Sequence, residues 1–230
     1  MDPIPKEIQS YILSFSDNLR NCSRVCKLWN SLTFNHLIDI VFVIDSTGSS
    51  GFLINKAISL LERLETLKCR FGIICYRDHD KFSDSVVSSI NLTFNTYLIR
   101  TYLYKIRPFG GDDYPEAIID GLYQCLSMNW KAKKRYIILV NDAPAHGYVL
   151  DKNMTDVKYK DNYPYGCPCN LNVPETLKSL VNKDINIINM IDIHDLKTSM
   201  NAFFQSIKDT QRVTVLYDIG NVISLVTGHT

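Results

Sequence analysis

The stretch Asp45-Ser46-Thr47-Gly48-Ser49 follows directly on the apolar run Ile40-Val41-Phe42-Val43-Ile44. Five consecutive β-favouring side chains leave no polar face, so the run reads as a strand buried on both sides, as in a parallel sheet. Ligands of such sheets lie just beyond the carboxyl ends of the strands. A carboxylate followed by hydroxyls at that place offers hard oxygen donors, which suit Mg²⁺ rather than zinc or copper.

The pattern continues along the chain. Ile54, Ala57, Ile58, Leu61 and Leu64 form a helical stripe, and Phe71 to Tyr76 is a second buried strand ending in Arg77-Asp78-His79. Ile90, Leu92 and Phe94 alternate with polar residues, as an edge strand does. A helix over 97–106 leads to the turn Gly110-Gly111-Asp112-Asp113, and Pro115 is expected to open the next helix, whose stripe holds Ile118, Leu122 and Cys125. Tyr136 to Val140 is again a buried strand, delivering Asn141-Asp142. A polar loop over 143–172 is too long for a plain connector. A helix over 174–181, a strand over 185–191, a helix over 196–207 and a strand over 213–217 complete the series. This alternation predicts an α/β fold: a doubly wound, mostly parallel, Rossmann-like sheet with one antiparallel edge strand.

Residues 1–36 are expected to form a separate helical segment, and 37–230 the α/β domain. In the first, Ile8, Ile12 and Leu13 share a face, and Val25, Leu28, Trp29 and Leu32 are spaced as an amphipathic stripe. So short a segment buries little core alone and must lean on the domain or on a partner. The strings Ile4-Pro5-Lys6-Glu7-Ile8, Ile12-Leu13-Ser14 and Val25-Cys26-Lys27-Leu28-Trp29 resemble an F-box. That resemblance implies docking to the Skp-type adaptor of a cullin ubiquitin ligase through Ile4, Pro5, Ile8, Ile12, Leu13, Val25, Cys26 and Trp29. The segment departs from the family in a slightly short link between Ser14 and Val25 and in Ser16, where an apolar residue is usual. The competing reading is a helical extension packed on the main domain around Trp29.

A net charge of +1 sets up no field toward nucleic acid or a membrane surface, and no apolar run approaches the roughly 20 residues that span a bilayer. The first residues lack the basic and apolar parts of a signal peptide. Seven cysteines without a regular framework point to a reducing, cytoplasmic setting.

Three loops carry the informative oxygens: Asp45, Thr47 and Ser49, then Asp112 and Asp113, then Asp142. The set resembles the metal-ion-dependent adhesion site of a von Willebrand factor A domain, across most of residues 38–220. The turn Gly110-Gly111-Asp112-Asp113-Tyr114-Pro115-Glu116 resembles a narrower branch, the A domains attached to alpha-type protein kinases. Tyr76-Arg77-Asp78-His79, Asn129-Trp130, Asp142-Ala143-Pro144-Ala145-His146-Gly147 and Asp161-Asn162-Tyr163-Pro164 match it too, while no stretch is left for the kinase domain itself. The resemblance implies Mg²⁺, or Mn²⁺ or Ca²⁺, held by Asp45, Thr47, Ser49, Asp113 and Asp142. So many carboxylates bind a cation well but leave it a poorer acceptor for an acidic partner group.

Structural duties compete for the same residues. Asp112 and Asp113 could cap a helix, as could Ser49, and His79 and His146 could be hydrogen-bonded supports. Cys167-Pro168-Cys169 could join these histidines around zinc, although the spacing is not that of a standard zinc motif. No phosphate-binding glycine loop and no Gly-x-Ser-x-Gly elbow occurs. The sequence is therefore read as a noncatalytic interaction protein, its A domain taking a protein target and its F-box-like segment linking that target to the ligase adaptor. An A-domain binding module without the ubiquitin link is the alternative, and a Mg²⁺-dependent hydrolase is a weaker one.

Overall fold

The computed structural model describes residues 37–67, 69–79, 85–149, 160–191, 196–205, 212–216 and 219–227. The F-box-like residues named above fall outside these, as does the middle of the long loop. The described elements run β1 (Ile38–Asp45), α1 (Gly51–Leu64), β2 (Cys69–Tyr76), β3 (Val87–Thr93), α2 (Thr96–Lys105), α3 (Ile118–Gln124), a 3₁₀ turn (Cys125–Ser127) and β4 (Lys134–Asn141). They continue with α4 (Val173–Asn182), β5 (Ile185–Ile191), α5 (Leu196–Phe204), β6 (Val213–Leu216) and α6 (Ile219–Thr227).

Six strands form one sheet in the order β3-β2-β1-β4-β5-β6, parallel throughout except for the edge pairing of β3 with β2. From β1 the chain moves outward to β2 and β3, then returns to the other side of β1 for β4, β5 and β6. The direction therefore reverses between β1 and β4, and in such sheets ligands bind beyond the carboxyl ends at that reversal.

The period-two alternation of strand side chains divides the core into two layers. Val41, Val43, Ile137, Leu139 and Ile187 face a cluster with Ile118 and Leu122 of α3, Leu177 and Leu180 of α4, and Phe203 of α5. Ile40, Phe42, Ile44, Ile138, Val140 and Ile188 face Leu53, Ala57 and Leu61 of α1, Ile99 and Leu103 of α2, and Val222 and Val226 of α6. Burial on both sides is why β1 carries an unbroken apolar run. Side-chain caps set the starts of two helices: Asn95 accepts from the Leu98 N–H at 3.0 Å, and Asn172 from the Glu175 N–H at 3.0 Å.

Two expectations need correction. Pro115 does not open a helix. Glu116 instead bridges Ala145 in parallel and donates its N–H to the Pro144 carbonyl at 2.9 Å, while Ala117 N–H donates to the Arg77 carbonyl at 3.1 Å. Backbone bonds to two other strand ends hold this segment extended, and α3 starts only at Ile118. Beyond β6, α6 adds a further helix that the strand–helix reading left out. α3 also lies very close to the sheet: a Cβ on Gly121 would come within 2.9 Å of Tyr76 and 3.0 Å of Val43.

At the amino-terminal rim the sheet buries an ion pair. Asp39 accepts from Arg70 Nε at 2.9 Å and Nη2 at 2.6 Å, and from the backbone N–H groups of Lys131 and Ala132 at 2.7 and 2.9 Å. Both side chains are almost wholly buried. Removing one partner of such a pair strands the other charge, so Asp39→Ala should destabilise the protein by about 3–5 kcal/mol in urea unfolding, and Asp39→Ala with Arg70→Met by clearly less.

Candidate functional site

Because β1, β2 and β4 are parallel neighbours, their carboxyl ends deliver Asp45, Asp78 and Asp142 to one rim. Asp45 is fully buried. Its Oδ1 accepts from the Thr47 N–H at 2.8 Å and the Thr47 hydroxyl at 2.7 Å, which fixes the tight turn after β1. Its Oδ2 is buried without a hydrogen-bond partner among the described residues. Burial first, then the neighbouring Asp142 carboxylate, pushes the Asp45 carboxyl up to about 7.

The turn before α3 closes over this point. Gly48 N–H donates to the Gly110 carbonyl at 3.0 Å and Phe109 N–H to the Ser46 carbonyl at 3.2 Å. Arg77 stacks on the Phe109 ring at 4.2 Å. Gly111 has a φ of +86°, and a Cβ there would stand 2.9 Å from Glu116 Oε1 and 3.3 Å from Thr47 Cβ. Both conformation and space demand glycine, and that close approach brings Glu116 against Thr47. Glu116 is buried, its Oε2 has no partner among the described residues, and burial followed by Asp45 and Asp78 pushes its carboxyl up to about 11.

Asp113 is half-buried beside Asp78. One of its oxygens accepts from the Asn162 N–H at 2.5 Å, and the other is buried without a partner among the described residues. Burial, opposed by the Asn162 bond and reinforced by Asp78, raises its carboxyl above the usual range. His146 lies between carboxylates, with Nε2 2.7 Å from Asp78 and Nδ1 3.1 Å from Asp161. Burial disfavours its charge, but the Asp161 and Asp78 bonds outweigh this and push the imidazole up to about 9. Asp161 also accepts from the N–H groups of Gly147 and Tyr163, both at 2.8 Å, pinning the far part of the long loop to the site.

Among the residues singled out from sequence, Asp45, Thr47 and Asp142 share the rim, and Asp113 joins it through Asp78 and Glu116. Ser49 is exposed, one residue before the Ser50 N-cap of α1, and Asp112 is exposed. The capping alternatives do not hold: α1 has no side-chain cap and α3 is preceded by Ala117, so neither Ser49 nor either aspartate caps a helix. Glu116 and Asp78 are not among the ligands that the resemblance implies, although both stand inside the strings that carry it. Orphaned carboxylate oxygens on Asp45, Glu116 and Asp113, with the Thr47 hydroxyl beside them, form an all-oxygen donor set that fits a hard divalent cation.

A second group lies alongside. His79 Nε2 is 3.2 Å from Asp120 Oδ2, and the Cys167 thiol is 3.3 Å from His79 Nε2 and donates to Asp120 Oδ2 at 3.0 Å. Cys169 faces Asp120 and Cys167 as well. Asp120, inside α3, had no signal in the sequence beyond its charge.

Residues 1–38 match the F-box-like family. Over 189 residues, 74% of this chain, the sequence is 29% identical to the alpha-protein kinase vwkA of Dictyostelium discoideum. The fold is similar to that of proximal thread matrix protein 1 from the mussel byssus, with a TM-score of 0.52, 13% identity and 85% of this chain covered. The chain spans 29% of the length of the former and 45% of the latter.

The raised Asp45 carboxyl fixes a sign. An unfolded chain ionises it near 3.8, the folded protein near 7. Between these values the native state holds the extra proton, so stability without metal falls as pH rises through this window and levels off above it. Asp45→Asn keeps the Thr47 bonds and removes the titration. In chelator it should match wild type near pH 4 and exceed it at pH 8 by on the order of a few kcal/mol in denaturant melts.

Proposed function

We propose that the protein is a noncatalytic interaction protein. Its α/β domain recognises a protein target at the carboxyl-end rim, around a divalent cation of the Mg²⁺ class, and its F-box-like segment couples that target to a Skp-type adaptor of a cullin ubiquitin ligase. The observation that carries the first half is the set of buried carboxylate oxygens, on Asp45, Glu116 and Asp113, that no donor among the described residues answers near the reversal point between β1 and β4. A fold does not leave several acids in mutual repulsion out of water unless something else neutralises them. The domain would be of the von Willebrand factor A type. Asp45, Thr47, Asp113 and Asp142, with Glu116 and Ser49 within the same loops, are the residues that would hold the ion.

Exposed aromatic side chains favour a protein target. Phe52 stands in the first turn of α1, Phe109 just before the Gly110-Gly111 turn, and Tyr165 in the loop that carries Cys167. Aromatic residues around a polar centre are the usual anchors of protein interfaces. The second half rests on the F-box-like match over residues 1–38 and on the Val25-Cys26-Lys27-Leu28-Trp29 string.

Two experiments separate the halves. Mg²⁺ should raise the melting temperature of wild type and leave that of Asp45→Asn unchanged, with a larger shift at pH 8 than at pH 5.5 because protons and metal compete for the same oxygens. In pull-downs, Trp29→Ala should lose the Skp-type adaptor and keep the target, whereas Asp45→Asn or a chelator should lose the target and keep the adaptor. Adaptor capture unaffected by Trp29→Ala would discard the ubiquitin link, and a Mg²⁺ response surviving Asp45→Asn would move the cation elsewhere.

A further inference from the structure

We infer that the protein carries a structural zinc site formed by His79, Asp120, Cys167 and Cys169, separate from the oxygen-rich rim. The four donor atoms, one from each side chain, all lie within 4.8 Å of one another. They come from the segment just after β2, the first turn of α3 and the loop after β4, so only the folded chain assembles them.

Three edges of the group are close to the lengths that a tetrahedral site needs. With metal–sulfur and metal–nitrogen or –oxygen bonds of the lengths zinc adopts, neighbouring ligand atoms stand roughly 3.3–3.8 Å apart, the two sulfurs farthest. The resolved edges here are 3.2 Å for His79–Asp120, 3.3 Å for Cys167–His79 and 3.0 Å for Cys167–Asp120. A few tenths of an ångström of outward movement admits the ion. Two sulfurs, an imidazole and one carboxylate form a borderline-soft set, which selects zinc over the magnesium that the neighbouring all-oxygen set would take.

The surroundings are those of a structural site. Asp120 and Cys167 are buried and His79 is nearly so, while Cys169 lies at the surface and leaves the ion a way in. His79 is held from outside the donor group through its backbone: its backbone N–H donates to Asp78 Oδ1 at 2.7 Å, and its carbonyl accepts from the Tyr163 hydroxyl at 3.0 Å. These bonds fix the backbone from which the imidazole projects toward Asp120 and Cys167. Without metal, Cys167 spends its thiol proton on Asp120, and the N–H of Cys169 donates to the Cys167 sulfur at 3.3 Å. Zinc replaces those protons: two thiol protons leave to solvent and two sulfur–zinc bonds form. All four positions are then protein ligands, so the ion serves architecture. It ties the loop of residues 160–170 to β2 and α3, and that loop brings Asp161 and Tyr163 to His146 and His79. The site stands whether or not the rim binds Mg²⁺.

The test uses the full chain, expressed with added zinc and purified without chelator. Metal analysis should find about one zinc per chain, and Co²⁺ exchanged into the stripped protein should give the intense visible bands of a tetrahedral ion with a near-ultraviolet sulfur-to-cobalt band. Cys169→Ser, at an exposed position, should fold as wild type by circular dichroism and bind zinc at least about tenfold more weakly against a chromophoric chelator. Asp45→Asn should leave zinc content and the cobalt spectrum unchanged. Near-zero zinc content, a pale octahedral cobalt spectrum, or wild-type affinity in Cys169→Ser would each overturn the site. So would a sulfur band that survives Cys167→Ser with Cys169→Ser, which would place the ion on other cysteines such as Cys22 and Cys26.

Discussion

Electrostatic repulsion among carboxylates held out of water is the constraint around which the carboxyl-end rim is built. Asp45, Asp78, Asp113, Glu116 and Asp142 act on one another across the ends of β1, β2 and β4. Parallel strands cannot avoid bringing their carboxyl ends together, so an acid at the end of each becomes a cluster once the sheet forms. Burial first, and the neighbouring carboxylates second, push the Asp45 and Glu116 carboxyls far up, so in the metal-free protein protons relieve the clash. A divalent cation would relieve it better, with no proton to hold.

The opposite rim shows what the same sheet does with a buried acid meant only for structure. Asp39 is as deeply buried as Asp45, but Arg70 and two backbone N–H groups saturate its oxygens. One end of β1 is thus electrostatically closed and the other open. The difference does not arise from burial, which is equal, but from the absence of matching donors around Asp45 Oδ2 among the described residues. Stability is given up at the rim where a ligand could restore it.

Adjacent residues are sorted into chemically different groups. Asp78 turns toward Asp113 and His146, whereas His79, the next residue, turns toward Asp120 and the two cysteines. The chain leaving β2 therefore feeds a hard, oxygen-rich set on one side and a softer sulfur–nitrogen set on the other. The loop after β4 closes over both, with Asp161 holding His146 and Cys167 reaching His79.

Much of the architecture was legible in the residues themselves. The unbroken run Ile40 to Ile44 announces a strand buried on both faces, and the alternation through Ile90 and Leu92 announces an edge, because these signals are local and periodic. Asp45, at the end of the first strand, was equally readable, since a buried strand end gives a carboxylate little else to do. What sequence could not supply was contact across the fold. Pro115 looked like a helix start until Ala145 and Arg77 drew the following residues into extended backbone, and α6 followed β6 without a distinct boundary signal. Glu116 becomes a site residue only because Gly111 lets it approach Thr47, and Asp120 meets Cys167 across 47 positions of chain. Periodicity fixes which face of an element is buried. Which polar atoms then find each other depends on distances between elements, and those exist only after the sheet has closed.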